Sequence, residues 1–380
     1  MTQTASQKKK VYFPNLNGLR FIAALLVILH HVEQLKLKSE MTNRFHEPFF
    51  TLCGRLGVVL FFVLSGFLIT YLLLVEQKET GKIAIKSFYI RRALRIWPLY
   101  YLIVFLGLFV LPGIPFLELP GYTEHVGDNF ILKVGLFLFM LPNVALVLLY
   151  AVPYASQTWT IGVEEQFYLF WPHLIKRSNK VITALLGVIM GYWLIRVCLF
   201  TLLHYGFDTP AVLTHLSNFF AGFNIDCMAI GGIAAYLFFK GKKKILWYLY
   251  SLKVQIPIGV LTLVLVLNGV GVFYPVYAVL FAIIILNAAT NPNNIFLLEN
   301  RLLNYLGKIS YGLYMYHSIA IGITMYLLSE VRFFNDPALY LLSMILTVLI
   351  SGLSYHFFEE KFIRRKHKFS KVLSGELAKE

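Results

Sequence analysis

Charge is what this 380-residue chain has least of: Asp, Glu, Lys and Arg together make up 14% of it, while 58% is hydrophobic and 16% aromatic. Soluble domains carry about 25% charged residues, so an ordinary water-soluble fold is excluded and a polytopic membrane protein is what remains. Acidic residues are scarcest, 19 against 34 basic, giving a net charge of +15. That excess does not point to nucleic acid, because the basic residues are scattered between apolar runs of membrane length. They read as topology signals and as contacts to anionic headgroups of the lipid bilayer. Cysteine is nearly absent. Cys53, Cys198 and Cys227 are odd in number, lie in or beside apolar runs, and show no CxxC or Cys/His spacing. Neither a disulfide framework nor a zinc site is therefore expected, and no metal is expected. The chain also shows no internal repeat, no Gly/Ser linker, no second domain and no GxSxG hydrolase elbow.

What is present is a series of eleven apolar runs, near 16–36, 55–75, 96–115, 130–150, 158–175, 181–203, 216–239, 254–270, 272–289, 303–328 and 337–358. The N-terminal stretch is basic, but the run after it carries Arg20, His30 and His31 and has no small-residue cleavage site, so it reads as a retained first span rather than a signal peptide. Positive-inside reasoning tests the count of runs. The clusters at 8–10, 76–95, 176–180, 240–244, 290–308 and 361–380 hold 25 of the 34 Lys and Arg residues, and the alternate connections hold six. This asymmetry requires one run not to cross, and 130–150, interrupted by Pro142-Asn143 and lying beyond an acidic loop, is the expected exception. The predicted fold is all-α: a polytopic membrane helical bundle of about ten transmembrane helices plus one re-entrant or interfacial segment, with both termini cytoplasmic. Residues 1–15 form a cytoplasmic N-terminal segment, 16–362 the membrane domain, and 363–380 a basic cytoplasmic tail that is mobile from residue 370.

Arg20 and His31 lie eleven residues apart on the first span, NLNGLRFIAALLVILHHVEQL. At 100° per residue that is three turns plus about 20°, so both side chains share one face about 16 Å apart. Burying either in lipid costs about 3 kcal/mol. Either each faces a protein interior, as two stations of one site, or Arg20 snorkels to headgroups and His31 lies near the opposite surface. Spacing alone leaves both readings open. Arg92 and Arg95, three apart on one helical face before the third span, suit a phosphate-bearing ligand or simple cytoplasmic anchoring. Glu164, Glu165 and Gln166 enter an aromatic span that continues with Tyr168 and Trp171. A carboxylate there orients a histidine or reads a hydroxyl-rich acceptor, or else belongs to a solvated loop beside an aromatic belt. Ser65, among Gly57 and Gly66, reads as a helix-packing residue. Ser310, Tyr314 and His317 form one polar stripe on a late helix, which lines a cavity more readily than it faces lipid. Glu359 closes the last span and is expected in a salt bridge.

Taken in order, NGLRFIAALLVILHH, GVVLFFVLSGFLI, SFYIRRALRIWPLY, TWTIGVEEQFYLFWP, LGKISYGLYMYHS and SYHFFEEKF resemble the acyltransferase-3 family of integral membrane acyltransferases, over roughly 16–362. The resemblance implies that Arg20 and His31 are the family's signature pair, with His30 a bystander, that Arg92 and Arg95 are its RxxR motif, and that Glu164 is its loop glutamate. It further implies an O-acetyltransferase of the bacterial cytoplasmic (inner) membrane. Such enzymes move acyl groups, often from cytoplasmic acetyl-CoA, onto hydroxyls of sugars, lipopolysaccharide, exopolysaccharide, peptidoglycan or small natural products. Asn17, Val59, Thr160, Gly162 and Lys361 depart from the family pattern, which weakens detailed transfer around Glu164 and Glu359. No esterase-like domain follows the membrane core, so transfer is expected to be completed by the core or by a separate partner.

The expected mechanism has Arg20, Arg92 and Arg95 binding the phosphates of acetyl-CoA, or of another acyl-CoA, at the cytoplasmic mouth. The pantetheine arm then lies along the first helix. His31 is catalytic, as general base or as transient acyl carrier. Glu164 sets the His31 tautomer or binds the acceptor, and Tyr168, Tyr314 and His317 contact a carbohydrate or glycolipid acceptor. The rival class is a transporter or flippase of a glycan intermediate, in which the same intramembrane groups carry protons or bind substrate.

Overall fold

In a bilayer the backbone must satisfy its own hydrogen bonds, which leaves an apolar run little choice but helix. The structure, a computed structural model, describes residues 9–205, 210–271, 273–331 and 335–374. Its helices are α1 (Leu16–Lys38), α2 (Pro48–Thr80), α3 (Ile85–Phe105), α4 (Phe130–Leu138), α5 (Pro142–Leu148), α6 (Trp159–Arg177), α7 (Val181–Tyr205), α8 (Ala211–Phe223), α9 (Ile225–Phe239), α10 (Lys243–Leu249), α11 (Leu252–Leu267), α12 (Tyr274–Thr290), α13 (Arg301–Lys308), α14 (Ser310–Glu330), α15 (Asp336–Ser354) and α16 (Glu360–Arg365). Among the described residues, six segments are long and apolar enough to cross a membrane: α1, α2, α3 with the turns that extend it to Gly113, α7, α8 with α9, and α15 with α16. The pair α10 and α11, bent by 55°, makes a seventh if counted as one span. The protein is thus an all-α integral membrane protein. Of the expected terminal segments, residues 1–8 and 375–380 lie outside the described residues, as do parts of the connections 204–215 and 329–337.

Helices α6 and α14, 19 and 21 residues long, have the length of a span but not the apolarity, because they carry Glu164, Glu165, Tyr314 and His317. The run 130–150 becomes α4 and α5, of nine and seven residues, separated at Met140 in the left-handed region (φ 59°). At about 1.5 Å per residue neither approaches the ~30 Å of a bilayer core. Asn143 of α5 exchanges two amide hydrogen bonds with Gln166 of α6, each 3.1 Å, so this short segment braces the helix that bears Glu164.

Helix α2 runs through the centre, packed on α1, α9 and α12. Gly66 and Gly231 make its contact with α9 possible: a Cβ at either would fall 1.9 or 2.1 Å from a carbonyl oxygen of the facing helix. Helix α1 is pinned at both ends. Asn15 binds the Ala288 carbonyl (2.8 Å) and receives the Leu298 amide (2.7 Å). At the other end Lys36 bridges Glu33 (3.0 Å) and Asp336 (2.8 Å), and Tyr340 donates to Glu33 (2.7 Å). These anchors hold Arg20 and His31 at a fixed separation.

The tail differs from expectation. Residues 373–374 form a parallel two-residue strand pair, β1 (Lys10–Val11) with β2 (Leu373–Ser374), and Arg91 donates to the Phe369 carbonyl at 2.7 Å. Residues 370–374 are therefore held against the bundle, because Arg91, already paired with Glu76 at 3.0 Å, has a second donor free for the tail backbone.

Candidate active site

The side chains that converge come from five helices. A cavity of about 100 Å³ is lined by Arg20 of α1, Ser65 of α2, Arg92 and Arg95 of α3, Glu164 and Tyr168 of α6, and Tyr314 of α14, with apolar walls from α2. Helical spacing puts Arg92 and Arg95 on one face, and Pro98 just beyond them leaves the Leu94 carbonyl without its usual partner. Arg92 lies between aromatic faces, 5.5 Å from the Tyr168 ring and 5.6 Å from Phe88, and its Nε is buried without a hydrogen-bond partner. A buried unpaired donor costs about 1–3 kcal/mol, which an anion in the cavity would recover. Arg20 donates to Asn17 at 3.0 Å.

Behind these three arginines is a smaller chamber of about 40 Å³, sharing Arg92 and Arg95 and adding Arg91, Glu76 and Lys366. Lys366 lies beyond the last span, and burial, reinforced by Arg95, Arg92, Arg91 and Arg20, pulls its ammonium down to about 7. Glu76 is engaged by Arg91, leaving the shared chamber strongly cationic.

The Glu164 carboxylate accepts from Ser65 Oγ (3.1 Å) and Tyr168 OH (2.8 Å). It does not orient His31, which corrects one of its two expected roles: Ser65 and Tyr168 are nearer and take the carboxylate. Tyr168 accordingly ties down Glu164 and backs Arg92. Tyr314 donates to the Gln157 carbonyl (2.9 Å) and receives Thr160 Oγ1 (2.8 Å), which fixes its ring between the cavity and the histidines.

His31 and His317 meet edge to face, ring centroids 4.7 Å apart, and Tyr314 lies 5.9 Å from His317. His31 Nδ1 is 2.8 Å from the Val27 carbonyl, and His317 Nδ1 is 2.7 Å from the Tyr314 carbonyl. A carbonyl only accepts, so in each neutral ring Nδ1 carries the proton and Nε2 keeps a lone pair. The Nε2 of His317 is buried without a partner. His30 turns away, onto the Phe50 carbonyl at 2.6 Å and against Gly54. Glu359, expected in a salt bridge, accepts from Ser354 at 3.2 Å and makes no ion pair among the described residues, because a π-helical turn at Tyr355–Glu359 folds it back on its own helix.

Ser65, Arg91 and Lys366 join the site without having been singled out for it. Ser65 sits in a small-residue stretch and Lys366 in a terminal charge run, and neither pattern signals a contact made across the bundle.

The chain is thus a membrane-embedded helical protein with three arginines gathered in a cavity at one end of α1 and, further along α1, His31 in contact with His317 of α14. The chain belongs to the acyltransferase-3 family: the family profile, described as an acyltransferase domain, matches residues 13–356. It is similar to the O-acetyltransferase OatA of Staphylococcus aureus strain NCTC 8325 / PS 47 and to that of strain COL, each 27% identical over 390 aligned residues. Those alignments cover 93% of this chain but 58% of either relative, so the chain spans little more than half their length. No solved structure matches.

Proposed function

We propose that this chain is a membrane O-acyltransferase that moves an acyl group, acetyl in the first instance, from a cytoplasmic acyl-CoA to a hydroxyl of a carbohydrate or glycolipid. The observation that carries the reading is the convergence of Arg20, Arg92 and Arg95 on one cavity, with Arg92 Nε unpaired. Guanidinium groups match phosphate oxygens in charge and geometry, so these residues suit the donor's phosphates. The arm from phosphates to thioester then follows α1 toward His31, about 16 Å away along the axis.

At that end the acceptor oxygen attacks the thioester carbonyl while His31 Nε2 takes the hydroxyl proton. The carbon–sulfur bond breaks, the ester forms, and the proton passes from His31 to the departing thiolate. If His31 instead carries the acyl group, the same Nε2 lone pair forms the bond, and a trapped acyl-imidazole distinguishes the two. His317 supports the His31 ring by direct contact, and Glu164 holds an acceptor hydroxyl or the donor's polar arm.

The reading includes ten crossings with both termini cytoplasmic, in the bacterial inner membrane. It adds α6, α12, α14 and the α10–α11 pair to the six apolar spans and leaves α4 and α5 re-entrant, which satisfies the distribution of basic residues.

The test is transfer of label from radiolabelled acetyl-CoA to candidate glycans by the purified full chain. His31→Ala is expected to lower transfer by about 10³-fold, the size of a lost general base, while His30→Ala retains it. Glycan transport with no dependence on acyl-CoA would overturn the proposal and favour the transporter reading.

A further inference from the structure

Arg196 is a cation in the interior of an apolar span, and nothing in the proposed reaction uses it. It lies nine residues before the end of α7, about 14 Å from that end. An arginine at such depth is costly and is retained where it meets a partner or a polar cavity. The structure supplies the cavity: about 380 Å³, lined by Arg196, Arg55 of α2, Tyr192, Trp193, Asp226 and Phe273 among others.

Asp226 makes no ion pair with either arginine, and its single charge leaves the cavity net positive. Its carboxylate is taken by Trp193 Nε1 (3.1 Å) and by the Cys227 amide (3.0 Å). Neither Arg55 nor Arg196 makes a hydrogen bond or ion pair among the described residues. The aromatic side is ordered: the Trp193 and Phe273 rings meet edge to face at 5.8 Å, and Tyr192 donates to the Phe220 carbonyl at 2.8 Å. The position says what kind of molecule reaches it. Only 17% of the α7 span is buried, against 72% of α2, and Leu194, Ile195, Val197 and Phe273 beside the cavity are exposed. Its rim is therefore lipid-facing, and a ligand arriving there comes from the bilayer.

We infer that this cavity binds the phosphate headgroup of an anionic lipid, the phosphate on Arg55 and Arg196 and the adjoining chain or ring against Trp193 and Phe273. Two guanidinium groups without carboxylate partners supply charge-assisted donors for phosphate oxygens, and the lipid-facing rim accommodates the acyl or prenyl tail. The assignment stands apart from the acyl-transfer proposal. With the orientation given there, the C-terminal end of α7 and this cavity fall in the outer leaflet, and only that placement rests on the acyl-transfer reading.

The test is native mass spectrometry of the full chain released from detergent micelles doped with phosphatidylglycerol, phosphatidylcholine, decaprenyl phosphate or glycerol 1-phosphate. One phosphatidylglycerol or decaprenyl phosphate is expected to be retained per chain, about tenfold more tightly than phosphatidylcholine, the size of a strong charge-assisted contact. Arg196→Gln and Arg55→Gln should each lower that preference by at least about threefold. Arg55 is exposed, so its variant carries the test if Arg196→Gln fails to fold. Tighter retention of decaprenyl phosphate assigns the site to lipid-linked carriers, and equal retention assigns it to bulk anionic lipid. Equal retention of phosphatidylcholine, a preference that survives both substitutions, or glycerol 1-phosphate binding as tightly as the lipids would overturn the inference.

Discussion

The cavity around Arg92 and the one around Arg196 are made of the same parts, arginines, aromatic rings and one tethered carboxylate, and differ in what encloses them. Around Arg92, five helices close in, the carboxylate of Glu164 is held by Ser65 and Tyr168, and the aromatic rings flank a guanidinium. Around Arg196 the rim is the protein's lipid-facing perimeter, and Asp226 is held by Trp193 and a backbone amide. Enclosure decides what such a set of groups is good for. Excluding water strengthens every interaction with developing charge, which favours chemistry, whereas an open lipid-facing rim favours reversible capture. Each carboxylate is occupied by neutral donors rather than by arginine, which is why both sets of arginines stay available.

Three substitutions sharpen or break this contrast. The largest effect is expected from Glu164→Gln, which keeps the shape but removes the charge from the enclosed cavity. Turnover should fall by about 10²-fold with donor affinity little changed, measured as the split between kcat and the donor KM. A change in donor KM alone would leave Glu164 holding only the donor's polar arm and remove the argument from enclosure.

Arg92→Gln comes next. Losing a charge-assisted contact of about 1.5–3 kcal/mol should raise the donor KM about 10- to 100-fold while label still transfers at saturating donor. If donor KM is unmoved, phosphates are not held where Arg92 Nε is unpaired.

The smallest effect is a pH dependence. Lys366 is pulled down to about 7 by burial and by Arg95, Arg92, Arg91 and Arg20, so it is cationic below that pH and neutral above it. Affinity for an anionic donor should therefore decline, by less than about tenfold, as pH rises from 6 to 8.5, and Lys366→Met should flatten the profile. The sign for stability is opposite. Between 7 and the ordinary lysine value the unfolded chain binds the extra proton, so the ligand-free protein should gain thermal stability with rising pH in that window.

Much of the bundle is legible in the sequence because the bilayer leaves apolar runs one conformation. The limits of α1, α7 and α12 fall within two residues of the runs that announced them, and the broken 130–150 run follows from Pro142. Within the site, the residues that converge by helical periodicity were readable: Arg92 with Arg95, and Tyr314 with His317. Contacts made across the bundle were not. Nothing local tells that Ser65 meets Glu164, 99 residues later, or that the tail returns to Arg91, because such pairings depend on how helices pack rather than on their own period. The orientation of His31 by Val27 was hidden for a different reason: the partner is a backbone carbonyl, which every residue has.

The pairing of Lys10 with Leu373 has a consequence for how the molecule is assembled. Closing a loop of ~360 residues costs about 5 kcal/mol of chain entropy, and a two-residue ladder returns only about 1 kcal/mol per hydrogen bond. The ladder cannot nucleate anything. It forms after the helices between its strands have already brought the two ends together, so it is the last contact to close during folding and the first to open on warming. The amide of Leu373, bonded to the Lys9 carbonyl at 2.9 Å, is accordingly a reporter of completed assembly, and its exchange with solvent measures how often the two ends of the bundle part.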